Sequence, residues 1–117
     1  MEVHAILKNV RMSAQKMREV TRQIQGLPAA HAAAVLKVVP RKGARFVEKT
    51  LNSAIANAED LQAHKPEYKD LNTSRLRVKE AVAQTASTLR RFAAKARGSA
   101  GPILKRNCHI KITLSDE

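Results

Sequence analysis

Aromatic side chains are almost missing from this chain: one Tyr, two Phe and no Trp, 3% of 117 residues. Ala and Val supply much of the 44% apolar content instead, so the core they can build is thin. Ordering the backbone costs about 1–2 kcal/mol per residue, and modest stability in isolation is expected. A single cysteine, Cys108, excludes an internal disulfide framework and fits a reducing compartment. No apolar run approaches the ~20 residues that span a bilayer, which argues against a membrane helix. The opening MEVHAILKNVRM has an early Glu2, no long apolar stretch and no small-residue cleavage site, so no signal peptide is expected. Acidic residues are scarce, ten against 22 Lys and Arg, for a net charge of +12 and a pI near 10.6.

That imbalance implies an anionic partner: nucleic acid, an anionic membrane or an acidic protein. The length suits one domain that buries roughly two-thirds of its unfolded surface. Alternation in EVHAILKNV predicts a strand over 2–10, with Val3, Ala5 and Leu7 on one face and His4, Ile6 and Lys8 on the other. SAQKMREVTRQIQG predicts a helix capped by Ser13, with Ala14, Met17, Val20, Thr21 and Ile24 on its apolar face and Gly26 at its end. LPAAHAAAVLKVVP predicts a second helix, with Pro28 in the first turn and Pro40 closing it. A third helix is expected over RKGARFVEKTLNSAIANAED, opened by Pro40, with Ala44, Val47, Leu51, Ala54, Ile55 and Ala58 facing inward. Residues 60–74 lose periodicity and read as a polar loop around Pro66.

RLRVKEAVAQT alternates again, with Leu76, Val78 and Val82 set against Arg75, Arg77 and Lys79. NCHIKITL mirrors it with Cys108, Ile110, Ile112 and Leu114. Two such strands with a long segment between them predict a hairpin whose turn falls near KARGSAG, where Gly98 and Gly101 supply backbone freedom. Each limb would have about fifteen residues or more, roughly 50 Å at ~3.3 Å each. Ordinary strands are far shorter, so the outer half is expected to stand clear of the body.

From Ala81 through Ser115 the chain contains neither Asp nor Glu. Arg90, Arg91, Lys95, Arg97, Lys105, Arg106 and Lys111 fall in that span, among small Ala and Gly residues. An isolated two-stranded ribbon is marginal in water, and this one repels itself. A packed RNA would hold it: phosphates neutralise the cations, and small side chains let the backbone pass through narrow gaps. A solvated basic loop is the plainer reading of such a charge run. Lys8, Arg11, Lys16, Arg18 and Arg22 form a second basic group on the first strand and helix. Arg41, Lys42 and Arg45 form a third, at a helix start whose dipole favours anions.

No catalytic constellation appears. Cys108 and His109 are adjacent on a strand and point to opposite faces, and His4, His31 and His64 show no ligand spacing with Cys108. RGSAG has Arg97 where the nucleophile elbow needs its first glycine. GSAG is a weak match to a G-x-x-G loop without its helices. No cofactor and no metal are expected. The rival binders are a nucleoid-type DNA-binding protein with a basic β-ribbon arm and a cationic membrane-surface protein, which would need a different amphipathic helix.

MSAQKMREVTRQIQG, RKGARFVEKTLNSAIANAE and TLRRFAAKARGSAGPILKRNCHIKITL closely resemble the bacterial large-subunit ribosomal protein family L-twenty-two, in the family's order and through nearly the whole chain. The resemblance implies an α+β fold: three helices packed on a small antiparallel three-stranded sheet, with a long protruding β-hairpin. It implies one domain, with a globular body at about 1–84 and 107–117 and an arm at about 85–106. It implies a structural protein that binds large-subunit rRNA, supports subunit assembly and resides in the cytoplasmic ribosome. Expected partners are rRNA, neighbouring large-subunit proteins and the nascent peptide, with no membrane and no homo-oligomer. Arg90, Arg91, Lys95, Arg97, Gly98, Lys105 and Arg106 would occupy rRNA-threading positions. The tip, Phe92, Ala93, Ala94, Lys95, Ala96, Arg97, Gly98, Ser99 and Ala100, would face the peptide exit tunnel. Ala86-Ser87 stand where the family often has Gly-Pro, Ala94 replaces a usual Pro, and Ala93, Lys95 and Ser99 sit where Arg is common, so this tip is less charged.

Overall fold

A computed structural model describes residues 1–116. Strand β1 (Glu2–Val10) turns its Val3, Ala5 and Val10 inward. Ser13 then caps helix α1 (Ala14–Ile24), its side chain accepting from the Lys16 N–H at 3.3 Å. The inward face of α1 is the expected one: Ala14, Met17, Val20, Thr21 and Ile24 are all buried. The helix ends at Ile24, and Gly26, with φ 81°, redirects the chain in a conformation other side chains resist.

Residues 26–29 run along a sheet edge. The Gly26 N–H donates to Val78 O, Val78 N–H to Leu27 O, and Ala29 N–H to Leu76 O. These bonds cover edge groups that would otherwise invite pairing with another chain. Helix α2 (Ala29–Val38) follows directly after Pro28, and Val39 and Pro40 are extended linkers. Helix α3 (Lys42–His64) starts two residues after Pro40, so Pro40 closes α2 without opening α3. Ala44, Val47, Leu51, Ala54 and Ala58 are buried, and Ile55 is half-buried.

Helix α3 also runs one turn further than its periodicity suggested. Residues 61–64 are helical, held where Gln62 donates to Leu71 O at 2.7 Å. The remainder of the expected loop contains two single 3-10 turns, Pro66–Tyr68 and Thr73–Arg75. Strand β2 (Arg77–Thr85), the short strands β3 (Leu89–Ala94) and β4 (Ala100–Lys105), and β5 (Cys108–Ser115) complete the chain.

The three-stranded sheet has the order β1-β5-β2, antiparallel throughout. Its central strand is the most apolar, with Cys108, Ile110, Ile112 and Leu114 buried. The helices pack on one face of it. In β2 the register slips between Val78 and Glu80, leaving Lys79 as the extra residue of a bulge. The slip reverses the phase of everything after it. Ala81 and Ala83 are the buried residues, and Val82, expected inside with Leu76 and Val78, is only half-buried.

The long hairpin is therefore not one continuous ribbon. The β2–β5 ladder ends at Thr85 opposite Cys108, and a separate ladder of β3 and β4 begins at Leu89 opposite Lys105. Residues 86–88 on one limb face only 106 and 107 on the other. The outer ribbon leaves the body there, and the molecule measures 66 × 28 × 16 Å. Its radius of gyration, 17.7 Å, exceeds the about 13 Å of a compact chain this long.

Candidate nucleic-acid interface

Successive side chains alternate across a strand, and the β3–β4 pairing assigns each one a face. Leu89, Arg91 and Ala93 share one face with their partners Lys105, Ile103 and Gly101. Arg90, Phe92 and Ala94 share the other with Leu104, Pro102 and Ala100. Cations thus sit on both faces, and no carboxylate lies anywhere on the ribbon. Leu89, Ile103 and Leu104 are exposed, and Phe92 is 78% exposed beside Pro102. None of the buried core residues lies between Ala83 and Cys108. The ribbon has no interior of its own.

The tip is a tight loop. Lys95 N–H donates to Ser99 O at 2.7 Å, and the Ser99 hydroxyl donates to Ala96 O at 2.8 Å. The reversal is made by two consecutive left-handed residues, Arg97 with φ 59° and Gly98 with φ 71°. Gly98 was expected to supply that freedom, whereas Arg97 bears a conformation that side chains rarely adopt. Gly101 plays a different part from the one expected of it. It lies inside β4, where the stem of Lys95 crosses it so closely that an added Cβ would lie 2.5 Å from Lys95 Cε. Phe92 and Ala94 to Ala100 are all exposed, and Ala93 is half-buried.

At the base of the ribbon the three basic groups of the sequence partly converge. Arg11, Lys16, Arg18, Lys42 and Arg106 line one open groove of about 900 Å³, together with Thr85, Leu104 and Asn107. Lys16 and Arg18 come from α1, Lys42 from the first turn of α3, and Arg106 from the arm's base. No acidic side chain lines this groove. Arg18 is also anchored, its Nε donating to Ala83 O at 3.2 Å.

A second hollow holds Lys37, Arg41, Lys42 and Arg45, with Glu48 at its side. Lys37 is the residue the sequence reading missed. It stands four places before Arg41, and the break between the helices at Val39 and Pro40 hid their closeness. Arg41 pairs with Glu19 at 2.9 Å. Both partners are more than half exposed, so the pair is worth about 0–1 kcal/mol and leaves the guanidinium open to a stronger anion. Arg22 lies in a separate hollow beside β2, shared with Glu80 and with Arg18, which lines both. Lys8 is exposed on β1, and Lys111 is half-buried between its cross-strand partners Ile6 and Val82. These three do not join the groove.

The titratable groups elsewhere do structural work. Burial pushes the Cys108 thiol up, against a smaller pull from Arg18. Its neighbour His109 points the other way, and its Nδ1 accepts from the Asn9 N–H at 3.0 Å. Glu2 is held below the ordinary carboxylate value by its hydrogen bond to the Lys79 ammonium. Asp116 is held down by the N-terminal ammonium, which donates to Oδ1 at 3.0 Å, and by the Asn72 N–H. Among the described residues no three His, Cys, Asp or Glu groups gather as a metal site, and no helix is long and apolar enough to cross a membrane.

A small α+β body, a cationic groove at its neck and a two-faced basic ribbon define a structural nucleic-acid-binding protein. Its family follows from comparison with known proteins. Residues 5–115 match the family described as Ribosomal protein L22p/L17e, and the chain belongs to that family. It is 47% identical over 116 residues to a protein of Opitutus terrae named Large ribosomal subunit protein uL22, covering 99% of this chain and 96% of that one. Proteins of the same name from Akkermansia muciniphila and Finegoldia magna are 43% and 41% identical, covering 100% and 99% of this chain and 98% and 97% of theirs. The family is one of structural ribosomal proteins of the large subunit.

Proposed function

We propose that this chain is an rRNA-bound structural protein of the large ribosomal subunit whose body and arm have separate tasks. The body, about 1–84 and 107–117, docks on RNA through the neck groove and the hollow at the start of α3. The arm, about 85–106, runs inward through folded rRNA, and its tip from Phe92 to Ala100 faces the nascent-peptide exit tunnel.

The observation that carries this reading is the ribbon's charge on both faces. A ribbon that lay on a surface would gain from cations on one side only. Arg90 and Arg91 point to opposite sides, as pairing with Leu104 and Ile103 requires. Each therefore needs its own anion, and a passage walled by phosphates supplies both. Ala93, Ala94, Ala96 and Ala100 keep the ribbon narrow enough to be enclosed.

Sedimentation of a cell lysate tests the reading. The protein should travel with large subunits and stay there at moderate salt. Release by DNase, or flotation with lipid, would overturn it. Deletion of residues 93–100 should leave the protein subunit-bound and the tunnel wider, as seen in a density map of the purified subunits. Loss of subunit binding on that deletion would show that the tip, rather than the body, carries the docking.

A further inference from the structure

We propose that the neck groove is a phosphodiester clamp and that Arg11 is the positioning residue through which it sets the direction of the arm. The inference rests on the rRNA-binding reading and assigns that binding a mechanical consequence.

The neck is the place where the ladder of the body and that of the ribbon part. The two ladders are separated by residues 86–88 on one limb and 106–107 on the other, an unequal pairing that interrupts the ribbon. Two hydrogen bonds cross it, from Ala86 N–H to Asn107 O at 3.1 Å and from Asn107 Nδ2 to Ser87 O at 3.0 Å. Both join one limb to the other. They hold the limbs together without fixing them to the helices or to β1.

One side chain makes that second connection among the described residues. Arg11, just past the end of β1, donates from Nη1 to Arg106 O at 2.9 Å. Its position follows from an irregularity in β1. The pairing with β5 slips between Leu7 and Val10, Asn9 adopts φ 57°, and its N–H is held by His109 Nδ1. Bulges of this kind re-aim the chain beyond them, and here the chain beyond is Arg11.

Arg11 also lines the groove with Lys16, Arg18, Lys42 and Arg106. A guanidinium has five donors in a fixed plane, and the Arg106 carbonyl takes one. Five cations around one groove repel each other in the free protein. A phosphodiester there removes the repulsion and takes further Arg11 donors. That fixes the guanidinium plane, which fixes the Arg106 carbonyl and with it the base of the arm. Body docking and arm direction are thereby coupled through one side chain.

The test uses the full chain with spin labels on Asp60→Cys in α3 and Ala94→Cys near the tip; Cys108 is buried and stays unlabelled in the folded protein. Interlabel distances are measured by pulsed electron resonance, free and with protein-free large-subunit rRNA. The chain with Arg11 intact should give a distribution that narrows on rRNA. Arg11→Ala and Arg11→Lys, both folded by circular dichroism, should bind more weakly and, at rRNA concentrations that saturate them, keep a broad distribution, because neither offers the planar fork. Lys42→Ala should lower the salt slope of binding by about 1 and still narrow. An Arg11→Ala complex as narrow as the parent's would overturn the positioning role. An unchanged salt slope in Lys42→Ala would overturn the clamp. Failure of the chain with Arg11 intact to bind the rRNA would overturn the underlying reading, and this one with it.

Discussion

Replacing residues 86–107 with an Asn-Gly turn should leave the body as stable as the full chain, or slightly more so. Thr85 and Cys108 are paired directly across the ladder, and a short turn can join the two strands there. The replaced segment contributes none of the buried core, and no transfer or cavity penalty follows. What is lost is the Arg11 to Arg106 hydrogen bond, exposed and worth about 0.5–1.5 kcal/mol at most. What is gained is loop entropy. Shortening a connection of about 22 residues to about two or three spans roughly three halvings, at about 0.6 kcal/mol each. The two nearly cancel, and the balance falls between about zero and 1.5 kcal/mol in favour of the shortened chain. Urea unfolding followed by circular dichroism measures it. A shortened chain less stable by more than about 2 kcal/mol, or one that melts without cooperativity, would show that the arm belongs to the body's folding unit and would refute the division.

Ile112→Ala, in the fully buried centre of β5, should by contrast cost about 2–5 kcal/mol in the same assay. Asp116 titrates below its ordinary value of 3.8 when folded. Its contribution is complete above that value and is lost as pH falls through the folded one, so Asp116→Asn should show its largest deficit near neutrality and match the parent in strong acid. Arg90→Gln and Arg91→Gln, on opposite faces of the ribbon, should each lower the salt slope of rRNA binding by about 0.7–0.9; a change from only one of them would mean that one face alone meets RNA. In the free protein, nuclear relaxation should show residues 89–106 more mobile than the three helices, and equal rigidity would sink the idea that RNA orders the arm.

Most of the body could be read from sequence because its signals are local. The alternation of β1, the Ser13 cap, the inward stripe of α1 and the apolar beat of β5 each rest on a few neighbouring residues. The misses are all tertiary. Nothing in VKEAV marks Lys79 as a bulge; the strand slips because β5 runs opposite it, and Val82 changes face as a result. The last turn of α3 carries one half-buried apolar residue, Leu61, and is held by Gln62 reaching Leu71 O. The basic residues were legible as residues but not as sites. Lys16, Lys42 and Arg106 lie far apart in the chain, and only the packing of α1, α3 and the neck brings them to one groove. Arg22, Lys8 and Lys111, grouped with them by sign, end up elsewhere because helix and strand faces sort them.

The two halves of the molecule solve opposite problems with the same small residues. In the body, Ala32, Ala44, Ala54 and Ala58 are buried, and their size lets helices approach one another and the sheet closely, compensating for the missing aromatics. In the ribbon, the alanines at 94, 96 and 100 are exposed and the one at 93 is half-buried. A ribbon that kept these positions small for its own sake would gain no stability, since apolar burial is what stabilises a strand pair. The narrowness has value only when something closes around it. The bulky exceptions support the same conclusion: Leu89, Ile103, Leu104 and above all Phe92, 78% exposed beside Pro102, present apolar surface that no described residue buries. On the proposed function, the cations on both faces, the narrow waist and the uncovered ring would meet an enclosing wall of phosphate, ribose and base. The unpaired outer edges of β3 and β4 would otherwise invite aggregation. Like charge opposes pairing with other copies of the chain, and on the proposed function the enclosing rRNA would shield those edges.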